Sequence, residues 1–153
     1  ISIIKERENC KATAIDKSLK ALKVAKLNAE MHHVLKKIKF LNIDVDKYFA
    51  NKYDLIVSNP PYIKDSEILS LDKDVKLNEP KLALSGGKSG LNKVFKVIKK
   101  SQELLKTNGK LILEIGDKQS KEVKKYLIKN NFNQIKIFKD LSGKKRCVVC
   151  TKS

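Results

Sequence analysis

The sequence predicts an α/β protein with a doubly wound, mainly parallel sheet and an antiparallel last strand. Three observations carry that prediction. Short apolar runs alternate with longer segments of helical period, the signature of strands laid side by side with helices packed over them. The run YDLIVS, 53–58, is continuously apolar enough to be a strand buried on both faces, as parallel strands usually are. The last two runs, 134–139 and 145–151, alternate and are joined through Ser142-Gly143, which predicts an antiparallel pair at the end.

The elements follow in order. ISIIKER reads as the middle of a helix, with 1–8 its remainder, and there is no initiating Met, so the reading expects a piece of a longer protein. KATAID, 11–16, is a short strand ending in an acid. Residues 17–31 place Leu19, Leu22, Ala25 and Ala29 on one side, which predicts an amphipathic helix. Residues 36–43 form the next strand, closed by Asp44, and 46–51 connect it to the strand at 53–58. Residues 59–90 hold all three prolines, together with Gly86, Gly87 and Gly90, and show no long period. A loop of that length in a compact domain usually serves a function. A helix is expected over 91–106, stopped by Asn108-Gly109, then a strand at LILEIG, 111–116, and a helix at 118–130 with Val123, Tyr126 and Leu127 inward.

Charge and composition bound the function. The net charge is +17, which invites a nucleic-acid partner, yet only Arg7 and Arg146 are arginine. Bidentate reading of phosphates and bases favours Arg over Lys. Residues 44–80 carry eight acids and five lysines, a net of −3, which leaves +20 for the rest. Lysines so spread read as a solvated surface that helps approach an anionic partner such as the ribosome. No apolar stretch reaches eighteen residues, so no membrane span is expected. Three cysteines, an odd number, suggest a reducing cytoplasm rather than a disulfide framework. Cys147 and Cys150 have CxxC spacing, but in a strand positions three apart face opposite sides, so core cysteine is the reading. His32 and His33 have no ligand cluster near them in sequence and read as surface or helix-end residues. SGGKSG, 85–90, looks like a phosphate loop, but the required upstream glycine is Leu82, so it is read as a turn into the next helix.

The chemistry concentrates at Asn59-Pro60-Pro61-Tyr62. Ligands of open α/β sheets bind beyond the carboxyl ends of strands, and Asn59 stands at such an end. Each proline biases the residue before it toward extended backbone. The Asn59 amide and the Pro60 carbonyl can therefore be fixed as two acceptors aimed at one place, and a planar amino group with two N–H donors fits them. Tyr62 offers an aromatic face to a flat group. Such nitrogens are poor nucleophiles because their lone pair is delocalised. Oriented acceptors favour developing positive charge and aim the lone pair at an electrophile, without a titrating base. Asp16, at the end of the first strand, is placed as the acid that binds ribose hydroxyls in dinucleotide-type folds, or as a helix N-cap. Asp44, at the next strand end, can accept from an adenine amino group, or simply close a turn.

These stretches resemble the catalytic domain of HemK/PrmC-type protein-(glutamine-N5) methyltransferases, over essentially all 153 residues. IDKSLKALKVAKLNAE resembles the stretch after the family's first cofactor motif, YDLIVSNPPYI its fourth motif, and LILEIG and RCVVC its last strands. NPPY is shared with amino-methylating enzymes of DNA and RNA. Glu79, Pro80, Ala83, Leu84, Gly90 and Leu91 resemble the segment that marks the glutamine branch. The resemblance implies a class I, Rossmann-like enzyme that uses S-adenosylmethionine to methylate the GGQ glutamine of peptide chain release factors. It implies that Asn59 and the Pro60 carbonyl bind the glutamine amide, with Pro61 and Tyr62 beside it. It implies that Asp16 holds the cofactor ribose, that Asp44 and Val45 border the adenine, and that Asn59 also lies by the cofactor. The first glycine of any kind is Gly86. The family's glycine-rich cofactor loop, first strand and small helical domain are therefore expected upstream of Ile1. That strand would lie between those at 11–16 and 53–58, and 1–153 alone would bind cofactor poorly. Rival readings are an amino-methyltransferase of DNA or RNA bases, a methyltransferase of a ribosomal-protein glutamine, and a non-catalytic binding domain.

Overall fold

The computed structural model describes residues 1–50, 52–71 and 80–153. The chain divides into two compact units, Ile1–Tyr48 and Phe49–Ser153. In the first, a short helix, Ser2–Glu6, precedes strand β1, Ala12–Asp16. Helix Leu19–Met31 then crosses to strand β2, Ile38–Asn42, which pairs parallel to β1 from Ala12↔Ile38 to Asp16↔Asn42. Leu22 and Ala29 are buried as their spacing requires, and Ile4, Ala29 and Val34 pack with Ala12, Ile38 and Phe40. Leu19, expected inward, is 61% exposed. It opens the helix directly after its cap, one turn before the buried stripe begins.

The second unit is a four-stranded sheet in the order β3-β4-β6-β5. Its strands are β3, Tyr53–Ser58; β4, Leu105–Glu114; β5, Phe132–Lys139; and β6, Lys145–Lys152. β3 runs parallel to β4, and β6 runs antiparallel to both β4 and β5, so the expected reversal at the end of the chain is present. Helices Asn92–Leu104 and Ser120–Lys129 pack on it, and Phe95 stacks on Tyr126 between them at 4.0 Å. Val94, Ile98, Leu111, Leu113, Val123, Leu127 and Val148 form a core with almost no exposure. Each such side chain contributes about 1.5–3 kcal/mol through its removal from water.

Two expectations are corrected. Asn108-Gly109 does not end the helix. The helix stops at Leu104, and Leu105 already pairs with Tyr53, whereas Leu55 pairs with Lys110. Residues 106–109 bulge out of the ladder there, and Asn108 takes the left-handed φ of 65° that Asn tolerates. Lys152 Nζ donates to the Gln102 and Leu105 carbonyls and so caps the helix end instead. Nor is β3 buried on both faces. Asp54 is exposed and Val57 is 54% exposed. The 59–90 segment also contains two short helices, Asp65–Ile68 and Lys81–Leu84. Among the described residues no helix is long and apolar enough to cross a membrane.

Candidate functional site

The β3–β4 ladder carries the chain to Ser58, in register with Leu113, and releases it at Asn59. Asn59 is exposed, Pro60 buried and Pro61 half-buried. Among the described residues neither the Asn59 amide nor the Pro60 carbonyl is engaged in a hydrogen bond. A polar pair at a strand end, left open while the proline between them is anchored in the protein, is a pair of acceptors available to a ligand.

Tyr62 is fixed rather than free. Its hydroxyl donates to Glu114 Oε1 at 3.1 Å, and the Arg146 guanidinium lies over its ring at 5.9 Å. Burial, and then the Glu114 carboxylate beside it, push the phenol above its ordinary range, so it stays protonated. The half-buried ring packs against the core of the second unit. Beyond it, Ile63 forms an isolated parallel bridge to Ser85. The Ile63 N–H donates to the Leu84 carbonyl, and the Gly86 N–H to the Ile63 carbonyl. The 85–90 segment is thus a turn, as expected, but one laid directly against the NPPY chain. Its glycines are sterically required, since a Cβ on Gly86 would stand 2.5 Å from the Gly90 carbonyl oxygen. Pro80, Ala83, Leu84, Gly90 and Leu91 lie in or beside this turn, whereas Glu79 lies outside the described residues.

Glu114, Arg146 and Gln119 are site residues that the sequence reading missed. Gln119 bonds to the main chain at Tyr62, Gly90 and Gly116. A Gln three residues after a helix-start position is half of a capping box, so GDKQ, 116–119, did carry a signal for it.

Asp16, Asp44 and Val45 lie in the first unit, and Asn59 to Tyr62 in the second. Asp16 ends β1 with its carboxylate exposed. Oδ1 accepts from the Ser18 N–H at 2.7 Å, and Asn42 Nδ2 holds the Asp16 and Lys17 carbonyls. Asp16 is not the helix N-cap. That role falls to Ser18, whose hydroxyl accepts from the Ala21 N–H. Asp44 is more committed, since Oδ1 accepts from the Asp46 N–H and Oδ2 meets Lys17 Nζ at 2.6 Å. With Lys17 about half exposed, that ion pair is worth up to about 1 kcal/mol. Val45 is half-buried and begins a single 3-10 turn. A carboxylate at the end of a parallel strand, with Oδ2 open among the described residues, fits a pair of ribose hydroxyls.

Among the described residues no group of His, Cys, Asp or Glu could hold a metal ion. His32 is the exposed C-cap of helix Leu19–Met31, and His33 follows it with a left-handed φ of 58°. Cys150 is buried against the Leu111 carbonyl, and burial pushes its thiol up to about 12; Cys147 is half-buried and also raised by burial. The fold therefore favours the neutral Cys150 thiol over the thiolate. Its contribution to stability is intact below the ordinary thiol range near 9 and is lost as pH climbs from there toward about 12. In a disulfide-exchange titration at pH 8, Cys150 is expected to react only after denaturant is added.

The methyltransferase small domain family matches residues 1–75. The chain is 39% identical, over 91% of its length, to the release factor glutamine methyltransferase of Thermodesulfovibrio yellowstonii, of which it covers 50%. It is 35% identical, over 97% of its length, to the bifunctional methyltransferase of Rickettsia felis, of which it covers 28%. The chain thus spans half or less of the length of these relatives. In fold it is similar to a methyltransferase from Pyrococcus furiosus, with a TM-score of 0.70 over 99% of this chain and 68% of that one at 18% identity. The fold is the Rossmann-like α/β fold found in S-adenosylmethionine-dependent methyltransferases, with a mixed sheet, and the sequence is similar to methyltransferases.

Proposed function

We propose that this protein methylates the side-chain amide nitrogen of a glutamine in the GGQ loop of a peptide chain release factor. The observation that carries the reading is the open pair at the end of β3, the Asn59 amide and the Pro60 carbonyl. A primary amide presents two N–H donors in one plane, and this pair presents two acceptors. Holding both hydrogens orients the nitrogen and stabilises the positive charge that grows on it during transfer. Pro60 and Pro61 keep the acceptors stiff, and Tyr62, pinned by Glu114, flanks them. Similarity to proteins named release factor glutamine methyltransferase supports glutamine as the acceptor.

S-adenosylmethionine, when bound, supplies an electrophilic methyl group on a sulfonium. On this reading Asp16 accepts from the ribose hydroxyls, Val45 flanks the adenine, and Asp44 shares its carboxylate between Lys17 and the adenine amino group. The substrate places the protein in the cytoplasm, and residues 1–153 belong to its catalytic domain.

The +17 charge favours one other reading, transfer to an exocyclic amino group of DNA or RNA. Incubation of the complete protein with labelled S-adenosylmethionine decides between them. Label is expected on release factor and none on a release factor whose GGQ glutamine is replaced. Label on DNA or RNA, with none on release factor, overturns the proposal. Label on a ribosomal protein's glutamine instead would keep the chemistry and change the partner.

A further inference from the structure

The ladder that positions β3 ends at Ser58, and the next pairing of the chain is the isolated bridge at Ile63. Asn59 to Tyr62 lie between these two anchors without strand pairing. Besides the Tyr62–Glu114 bond, the Gln119 side chain holds the main chain at the end of that gap. Gln119 Nε2 donates to the Tyr62 carbonyl at 3.0 Å and to the Gly90 carbonyl at 3.1 Å, and Oε1 accepts from the Gly116 N–H at 3.0 Å. Its partners fix which way the amide faces, because a flipped amide would set an acceptor against two carbonyls and a donor against an N–H. The Gln119 main-chain N–H also donates to the Gly116 carbonyl, so the residue is held at its own base. The chain comes too close here for any side chain at residue 90. Gly90 has a φ of 73°, and a Cβ on it would stand 2.6 Å from the Tyr62 oxygen and 2.9 Å from Gln119 Nε2.

We propose that Gln119 is a positioning residue for the NPPY site: its amide ties the main chain at Tyr62 and Gly90 to the end of β4 and so sets where Asn59 and the Pro60 carbonyl stand. Its catalytic consequence rests on the methyltransferase reading; the clamp itself rests on geometry alone. Tyr62 is three residues from Asn59, and two of the three residues from Asn59 to Pro61 are proline, so a shift at the Tyr62 carbonyl passes along a stiff segment. Misplacement by about 1 Å can cost about a hundredfold in rate.

The test uses the complete protein with Gln119→Met, which keeps length without hydrogen bonds, and Gln119→Glu, which keeps only the acceptor for Gly116. Both are expected to lower kcat for the glutamine acceptor at least about tenfold, with S-adenosylmethionine affinity by calorimetry unchanged. In hydrogen exchange, the amides of Ile63, Gly86 and Asn92 are expected to exchange about tenfold faster, while that of Ile115, bonded to the Arg146 carbonyl, keeps its rate. A lower thermal midpoint with unchanged kcat and unchanged local exchange overturns the proposal. So does faster exchange throughout the unit, Ile115 included, which would make Gln119 a general stabiliser. If the unsubstituted protein methylates no glutamine, the functional reading fails and the exchange rates alone decide the clamp. Faster exchange confined to Ile63, Gly86 and Asn92 upholds it, and unchanged exchange there sinks it.

Discussion

Asn59→Ala in the complete protein is expected to lower kcat for glutamine methylation by about 10²–10³-fold, the effect of removing one preorganised group that stabilises developing charge. Stability is expected to change little. Asn59 is exposed, and its side chain makes no hydrogen bond among the described residues, so folding loses almost nothing with it. Surface substitutions of that kind usually stay within about 0.5 kcal/mol. The measurement pairs single-turnover methyl transfer with a thermal melt. Full activity in Asn59→Ala would mean that the open acceptor pair is not the site, and would favour a binding domain that kept the fold. A loss of activity accompanied by a collapsed melting temperature would make Asn59 a structural residue instead.

Leu113→Ala is expected to do the reverse, costing stability first. Leu113 has no exposed surface and sits at the centre of the four-stranded sheet, in register with Ser58 on one side and Val148 on the other. Truncating a buried leucine removes its transfer energy and leaves a cavity, together about 2–5 kcal/mol. Against a typical net stability of about 5–15 kcal/mol, that is a large fraction. Urea unfolding of the complete protein should show a lower midpoint at unchanged slope. Activity at low temperature should survive in the folded fraction, because the register of Ser58 is set by main-chain bonds rather than by the leucine side chain. A loss below 1 kcal/mol would mean that the core closes around the gap.

The contrast between the two substitutions reflects how the sequence encodes this protein. The core was legible because burial follows periodicity. Val94 and Ile98, and Val123 and Leu127, recur at helical spacing, and all four are buried. The alternation along 145–151 identified β6, and the closing pair of runs gave the reversal of strand direction. The position of Asn59 at a strand end was legible for a different reason. A polar residue followed by Pro-Pro at the end of an apolar run breaks local rules in a way that a packing role does not explain.

Two of the misreadings share a cause. Asn108-Gly109 has the composition of a stop, yet pairing of Leu105 with Tyr53, 52 residues away in the chain, had already started the strand. The apolar run at 53–58 suggested burial on both faces, but what covers each face of a strand is decided by the rest of the fold, and Asp54 and Val57 are exposed.

The sequence by itself determined the α/β class, the alternation of elements, the antiparallel end and the position of Asn59 at a strand terminus. All of these follow from local periodicity and from the backbone limits of proline. Only the tertiary structure decided that Tyr62 is held by Glu114, that the 85–90 turn lies against NPPY, and that Gln119 fastens three stretches of main chain. Apart from the Gln119–Gly116 bond, those contacts join residues 21 to 57 positions apart. No local pattern specifies which distant carbonyl a side-chain amide will meet. That is set by the packing that brings the ends of β3 and β4 to the same edge of the sheet.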